Sequence, residues 1–249
     1  MQVGFKTDKG RFRPNNEDAC FVLLPDNLYL LCDGVGGGNS GEIASRTTVN
    51  EIANFFKNRP ISNMKSKEEI IVSLQIAIDE ANRKVYNTAI SYEENTGMAT
   101  TLVVFCIKDG KAYIANVGDS RAYIYRSSFL KQLTEDHTYV NSLVKAGVLT
   151  KEQASNDARK NMITRAIGAE PEVEADFFMV DINTDDTFVI CSDGLYDEVS
   201  DEEIVKSIES NDTMSDVCMN LIDKANKNGG HDNITIICIK VTEEDINER

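Results

Sequence analysis

The chain has 249 residues, 41% hydrophobic and 27% charged, an ordinary globular composition that excludes a disordered or fibrous class and suits one large domain. Its 26 basic and 41 acidic side chains leave a net charge of −15, which argues against nucleic acid or an anionic membrane as partner, since both need a basic face. No run approaches the roughly 20 apolar residues needed to span a bilayer, so no membrane span is expected.

Residues 1–8 lack the apolar core of a signal peptide, and the expectation is a cytoplasmic monomer folded as one domain over residues 1–249. Strand signals open the chain at 3–6, 19–24 and 28–32. Two amphipathic helices follow, over about 41–56 and 67–91; in the second, Ile70, Leu74, Ile78, Ala81 and Val85 recur at helical spacing. Residues 99–107 are almost continuously apolar, and Asp109-Gly110 predicts a tight hairpin into a strand over 111–117. A strand at 121–125 continues the meander. Residues 139–166 read as short helices and loop, with strands again at 173–180 and 187–191. Helices near 201–210 and 214–226 precede a last strand over 233–241. The six cysteines (20, 32, 106, 191, 218 and 238) have no paired metal spacing and read as buried thiols of a reducing compartment.

Hairpin-joined strands, with helices in pairs rather than after each strand, predict antiparallel sheets rather than a doubly wound parallel one. Two such sheets packed face to face, with helices outside, explain strands that are apolar on both faces.

Three predicted strands stop at an aspartate: Leu31-Cys32-Asp33-Gly34, Val117-Gly118-Asp119-Ser120 and Cys191-Ser192-Asp193-Gly194. A fourth acid, in Gly230-His231-Asp232-Asn233, opens the last strand. Singly these are turn residues. Four of them at the ends of buried strands put carboxylates in one small volume, where like charges raise each other's pKa unless cations intervene. Oxygen-only ligands select a hard ion such as Mg²⁺ or Mn²⁺. Glycine beside such an acid lets backbone approach an ion, so the Gly34 carbonyl is itself a candidate ligand.

The run Gly34-Val35-Gly36-Gly37-Gly38-Asn39-Ser40-Gly41 contains a formal G-x-G-x-x-G. A dinucleotide site needs a parallel strand soon after it, whereas two helices follow here and Asp33 would repel a pyrophosphate.

Taken in order, Arg13-x-x-Asn16-Glu17-Asp18, Asp33-Gly34-x-Gly36-Gly37, Gly118-Asp119-Ser120-Arg121, Ser192-Asp193-Gly194-Leu195-x-Asp197 and Asp232-Asn233-Ile234-Thr235 resemble the successive signatures of the type 2C (PPM) protein phosphatases. Leu133-Thr134-Glu135-Asp136-His137 and the segment from Ile163 to Gly168 resemble further segments of its bacterial members. The resemblance spans residues 13 to 235. It implies an α+β fold, a four-layer αββα sandwich of two antiparallel sheets. It also implies two tightly bound Mn²⁺ or Mg²⁺ ions and a weaker third.

On this resemblance Asp33 bridges two ions, the Gly34 carbonyl holds one of them, and Asp193 and Asp232 complete the other. Glu17 and Asp18 act through ordered water, and Asp119 with Asp193 and Asp197 forms the third position. Arg13 holds the phosphoryl group, which suits its planar fork of donors. Residues 139–161 match a variable flap. The implied reaction is in-line attack by a metal-bridging hydroxide on phosphoserine or phosphothreonine in proteins, opposing a eukaryotic-like bacterial Ser/Thr kinase. A small-molecule phosphohydrolase and an inactive relative that binds phosphoproteins are the other readings. Val35 stands where many eukaryotic relatives carry histidine, which leaves the general acid unassigned; Asp157-Ala158 stands where bacterial flaps often have His-Pro.

Overall fold

The computed structural model describes residues 1–37 and 40–247; Gly38-Asn39 of the glycine run lie outside the described residues, as do Glu248 and Arg249. The chain opens with β1 (Gln2–Asp8), β2 (Ala19–Leu23), β3 (Leu28–Cys32) and the two-residue β4 (Gly34–Val35), followed by α1 (Ser40–Asn58) and α2 (Lys67–Ser91). Then come β5 (Ala99–Thr100), β6 (Leu102–Lys108), β7 (Lys111–Val117), β8 (Arg121–Arg126) and β9 (Phe129–Gln132). The short helices α3 (Tyr139–Lys145) and α4 (Lys151–Ser155) lead to β10 (Asp176–Asp181), β11 (Thr187–Cys191) and α5 (Asp193–Tyr196). The chain continues through α6 (Asp201–Ser210), α7 (Met214–Asn228), β12 (Ile234–Lys240) and α8 (Glu243–Asn247).

One sheet has the order β1-β12-β11-β8-β9 and the other β10-β7-β6-β3-β2, with neighbouring strands antiparallel throughout. Alternation along each strand divides its side chains between two cores. Tyr29 and Leu31 of β3 meet Phe188 and Ile190 of β11 and Ile237 and Ile239 of β12 between the sheets. Leu28, Leu30 and Cys32 face the other way and pack with Ile52, Phe56, Leu74 and Ile78 of α1 and α2. Val189, Cys191, Ile236 and Cys238 likewise pack under Ile204, Val217 and Leu221 of α6 and α7. The result is the four-layer αββα sandwich, and it is why β3, β6, β11 and β12 are apolar on both faces.

Local chemistry fixes the helix starts. Ser66 accepts from the Glu69 N–H ahead of α2, and Ser200 with Glu203 forms a capping box on α6. Asp109 and Gly110 both take positive φ (48° and 71°), the left-handed pair that a two-residue hairpin needs.

Three details depart from the sequence reading. The continuous strand expected over 99–107 breaks at Thr101, giving β5, which pairs with β4, and β6, which pairs with β3. The strand expected at 173–180 is β10, Asp176–Asp181. An unexpected hairpin joins β8 to β9 through Ser127 and Ser128, also at positive φ. All six cysteines are free, and no helix among the described residues is long and apolar enough to cross a membrane.

Candidate metal centre

The two sheets deliver their acids to one end of the sandwich. Asp33 follows β3, Asp119 lies in the turn from β7 to β8, Asp193 follows β11 as the first residue of α5, and Asp232 precedes β12. Asp18, just ahead of β2, is buried behind them. Backbone bonds hold the frame. Thr101 Oγ1 accepts from the Asp33 N–H at 2.9 Å, and the Asp33 carbonyl accepts from the Thr101 N–H at 2.8 Å. The Tyr196 hydroxyl donates to the Asp119 carbonyl at 3.0 Å.

Electrostatics show how closely these groups crowd. Burial raises Asp33 well above the ordinary carboxylate value, and Asp18, Asp193, Asp119 and Asp232 each push it further. Burial, with the charges of Asp232 and Asp197 behind it, lifts Asp193 to about 6. Asp119 rises to about 7 through burial and the charges of Asp193 and Asp136. Asp18 rises to about 7 mainly through burial, although Thr235 and Ser192 stabilise its ionised form.

Ser192 Oγ donates to Asp18 Oδ2 at 2.8 Å, while Asp18 Oδ1 and Asp193 Oδ1 are buried without a hydrogen-bond partner. Orphaned buried carboxylate oxygens are costly, and here they come as an oxygen-only set that suits a hard divalent ion. Gly34 fits the same picture: a side chain on it would strike the Gly41 and Glu17 carbonyls, so only glycine lets these backbones meet.

The group is crowded without being a closed cage: among the described residues no three acidic, histidine or cysteine side chains are already gathered in ligating geometry. Two of the acids are paired with the protein's own cations. Arg13 Nη2 bonds Asp232 Oδ2 at 2.6 Å, and Lys160 Nζ bonds Asp197 Oδ2 at 2.8 Å. The donor set therefore fits divalent ions, with two acids at its rim held meanwhile by cationic side chains.

Asp18, Asp33, Asp119, Asp193 and Asp232 are thus brought together. Asp197 stands exposed at the edge. Glu17 is set back: its N–H donates to Asn233 Oδ1 at 2.8 Å, and its carboxylate accepts from Asn15 at 3.2 Å. Arg13 is half exposed and, rather than standing free for phosphate, is engaged by Asp232.

Thr101, which lies outside the motifs, supports the site: its hydroxyl pairs at 2.7 Å with that of Ser120, a motif residue to which no role was assigned. Arg121, also in that motif, has a supporting role: its guanidinium holds Asp136 in a forked pair and lies 3.5 Å from the Tyr196 ring centroid. The sequence hint was polar residues inside otherwise apolar runs. His137 is buried; its Nδ1 accepts from the Gly118 N–H at 3.0 Å and its Nε2 faces Asp176 Oδ2 at 3.1 Å, a scaffold position next to the Asp119 turn.

Residues 6–234 match the family described as PP2C, protein phosphatase 2C. The serine/threonine phosphatase stp of Listeria monocytogenes serotype 4b (strain F2365) is 39% identical over 243 residues, 96% of each chain. The serine/threonine phosphatase of S. agalactiae superposes with a TM-score of 0.89 at 35% identity, covering 96% of this chain and 99% of that one. The catalytic domain of the serine/threonine protein phosphatase PstP, in complex with two manganese ions, gives a TM-score of 0.85 at 30% identity over 97% and 98% of the two chains. The chain belongs to the protein phosphatase 2C family. It is a metal-dependent serine/threonine protein phosphatase, and its substrates are phosphoproteins.

Proposed function

We propose that this phosphatase hydrolyses phosphoserine and phosphothreonine by in-line attack of water at a centre built on Asp33, the Gly34 carbonyl, Asp193 and Asp232. These residues would hold two Mn²⁺ or Mg²⁺ ions tightly, and Asp119, Asp193 and Asp197 would hold a weaker third. The observation that carries this reading is the cluster in which burial and then four neighbouring carboxylates raise Asp33, while Asp18 and Asp193 keep buried, unpartnered oxygens. When bound, the cations supply charge neutralisation and the Lewis acidity that makes water a nucleophile near neutral pH.

The chain's own residues do the positioning. Asp33 sits centrally enough to serve two ions. Asp18 and Glu17 lie behind the cluster and orient water rather than touch metal. Arg13, now paired with Asp232, would orient the phosphoryl group through its guanidinium. Asp197, now paired with Lys160, would help to hold the third ion. Residues 139–161 act as the flap, because Lys160 within that segment already reaches Asp197.

The setting we infer is a cytoplasmic monomer, one domain over residues 1–249, opposing a eukaryotic-like bacterial Ser/Thr kinase. Phosphate release from a phosphothreonine protein and from sugar phosphates, with Mn²⁺ and with Asp33→Asn as control, tests the reading. Turnover of the phosphoprotein that Asp33→Asn abolishes is the expected result. Faster turnover of sugar phosphates would move the assignment to a small-molecule phosphohydrolase.

A further inference from the structure

Two loops run side by side at the rim of the metal centre, and three successive residues of one meet three of the other. The Arg11 N–H donates to the Gly230 carbonyl at 2.8 Å, the Phe12 ring stacks on His231, and Arg13 binds Asp232. The stack is close to parallel, with centroids 5.1 Å apart and planes 6° from each other. His231 is fixed in turn by Glu198, whose Oε1 lies 2.5 Å from its Nδ1. A side chain at Gly229 would strike the His231 ring, so glycine there leaves the ring its place.

Single exposed apolar residues are common and carry no message by themselves. Phe12 differs in being immobilised: 69% of it faces solvent, yet its ring is stacked, its backbone neighbour is latched, and its position is one residue from Arg13. An exposed aromatic surface that has already lost its freedom binds apolar groups at low entropic cost. It is also one residue from Arg13, and adjacent Cα atoms are about 3.8 Å apart, the same spacing that separates a phosphorylated residue from its neighbour in a substrate.

We propose that Phe12, backed by His231, is a specificity-determining platform that takes an apolar or aromatic side chain immediately next to the phosphorylated residue of the substrate. This rests on the reading of Arg13 and Asp232 as the phosphate-facing edge of the metal centre. The substrate class it selects is phosphopeptides in which a large apolar residue flanks phosphothreonine, in preference to small or polar neighbours.

The test compares kcat/KM, with Mn²⁺, for phosphothreonine peptides identical except for Phe or Ser directly before, or directly after, the phosphothreonine. Wild type is expected to favour one Phe-flanked peptide over its Ser counterpart by about tenfold, the scale of one well-made aromatic contact, with the difference in KM. In Phe12→Ala that ratio falls to about one, and Phe12→Tyr restores it. His231→Ala, which removes the backing ring, lowers the ratio partway. Because each ratio is taken within one protein, partial misfolding of a variant cancels. A wild-type ratio near one at both positions, or a ratio unchanged in Phe12→Ala, overturns the platform and leaves the metal-centre reading standing. Absence of wild-type turnover on every peptide and on p-nitrophenyl phosphate overturns both.

Discussion

Arg13 Nη2 lies 2.6 Å from Asp232 Oδ2, so the guanidinium assigned to substrate phosphate is already paired with a carboxylate assigned to metal. Partial burial works against the Arg13 charge, but Asp232, with Asp193 and Asp33 behind it, holds it in place. Under the proposed reading Asp232 would hold a cation when one is bound, and Arg13 would then be free to orient phosphate.

Arg13→Ala is therefore expected to cost function and little stability. Half of the Arg13 side chain is exposed, and exposed pairs contribute only about 0–1 kcal/mol. Loss of a charge-assisted phosphate contact lowers kcat/KM by about 10- to 100-fold. Steady-state kinetics alongside thermal melts check both halves; unaltered kinetics would remove Arg13 from the site.

The metal-free protein is expected to lose stability as pH rises. Asp18 and Asp119 at about 7 and Asp193 at about 6 all lie above their ordinary 3.8. Between about pH 4 and 7 the native state therefore binds more protons than the unfolded state, and unfolding free energy falls as pH climbs through that window. One extra bound proton is worth about 1.4 kcal/mol per pH unit. A chain of this size loses about 2–4 °C in Tm per kcal/mol. Tm of chelator-treated protein should fall from pH 5.5 to 7.5, recover with Mn²⁺, and fall less steeply in Asp18→Asn. A flat or rising Tm would mean that the carboxylates do not repel one another as described.

Asp119 is assigned to the weaker ion alone. Asp119→Ala should cut turnover at least about tenfold, the low edge of what a transition-state contact contributes, while leaving the tighter ions in place. Near-normal hydrolysis of a phosphothreonine protein by this variant would count against a catalytic third ion.

Neither histidine is positioned as the general acid. His231 is stacked and bonded to Glu198, and His137 braces the Gly118 N–H beside the Asp119 turn. Burial lowers the His137 pKa, partly offset by Asp176, which favours the neutral ring that accepts from Gly118. His137→Gln and His231→Ala should each lose less than about tenfold in kcat, below the roughly 10²–10⁴ of a lost acid or base. His137→Ala should cost about 1–3 kcal/mol in stability, because a buried N–H loses its acceptor. A hundredfold drop in kcat with folding intact would make His137 catalytic.

The layers of the fold were legible because buried strands and amphipathic helices leave strong periodic signals. The convergence of Asp33, Asp119, Asp193 and Asp232 was legible because each abuts a strand end. What escaped had no local signature. The break at Thr101 is made by its bonds to Asp33 and Ser120, distant in sequence. The Ser127-Ser128 turn takes positive φ without the glycine or asparagine that usually announces it. The pairing of Arg13 with Asp232 and of Lys160 with Asp197 joins residues 219 and 37 apart, where only the folded chain shows which charge answers which.

If Asp33 is the shared ligand of the tightly bound ions, as proposed, its loss should remove both. Calorimetric titration of Mn²⁺ into chelator-stripped wild type and Asp33→Asn, with Tm confirming that both are folded, measures it. Two tight ions per wild-type chain and none in Asp33→Asn at the same concentrations is the predicted result; two ions bound by Asp33→Asn with wild-type affinity would contradict it.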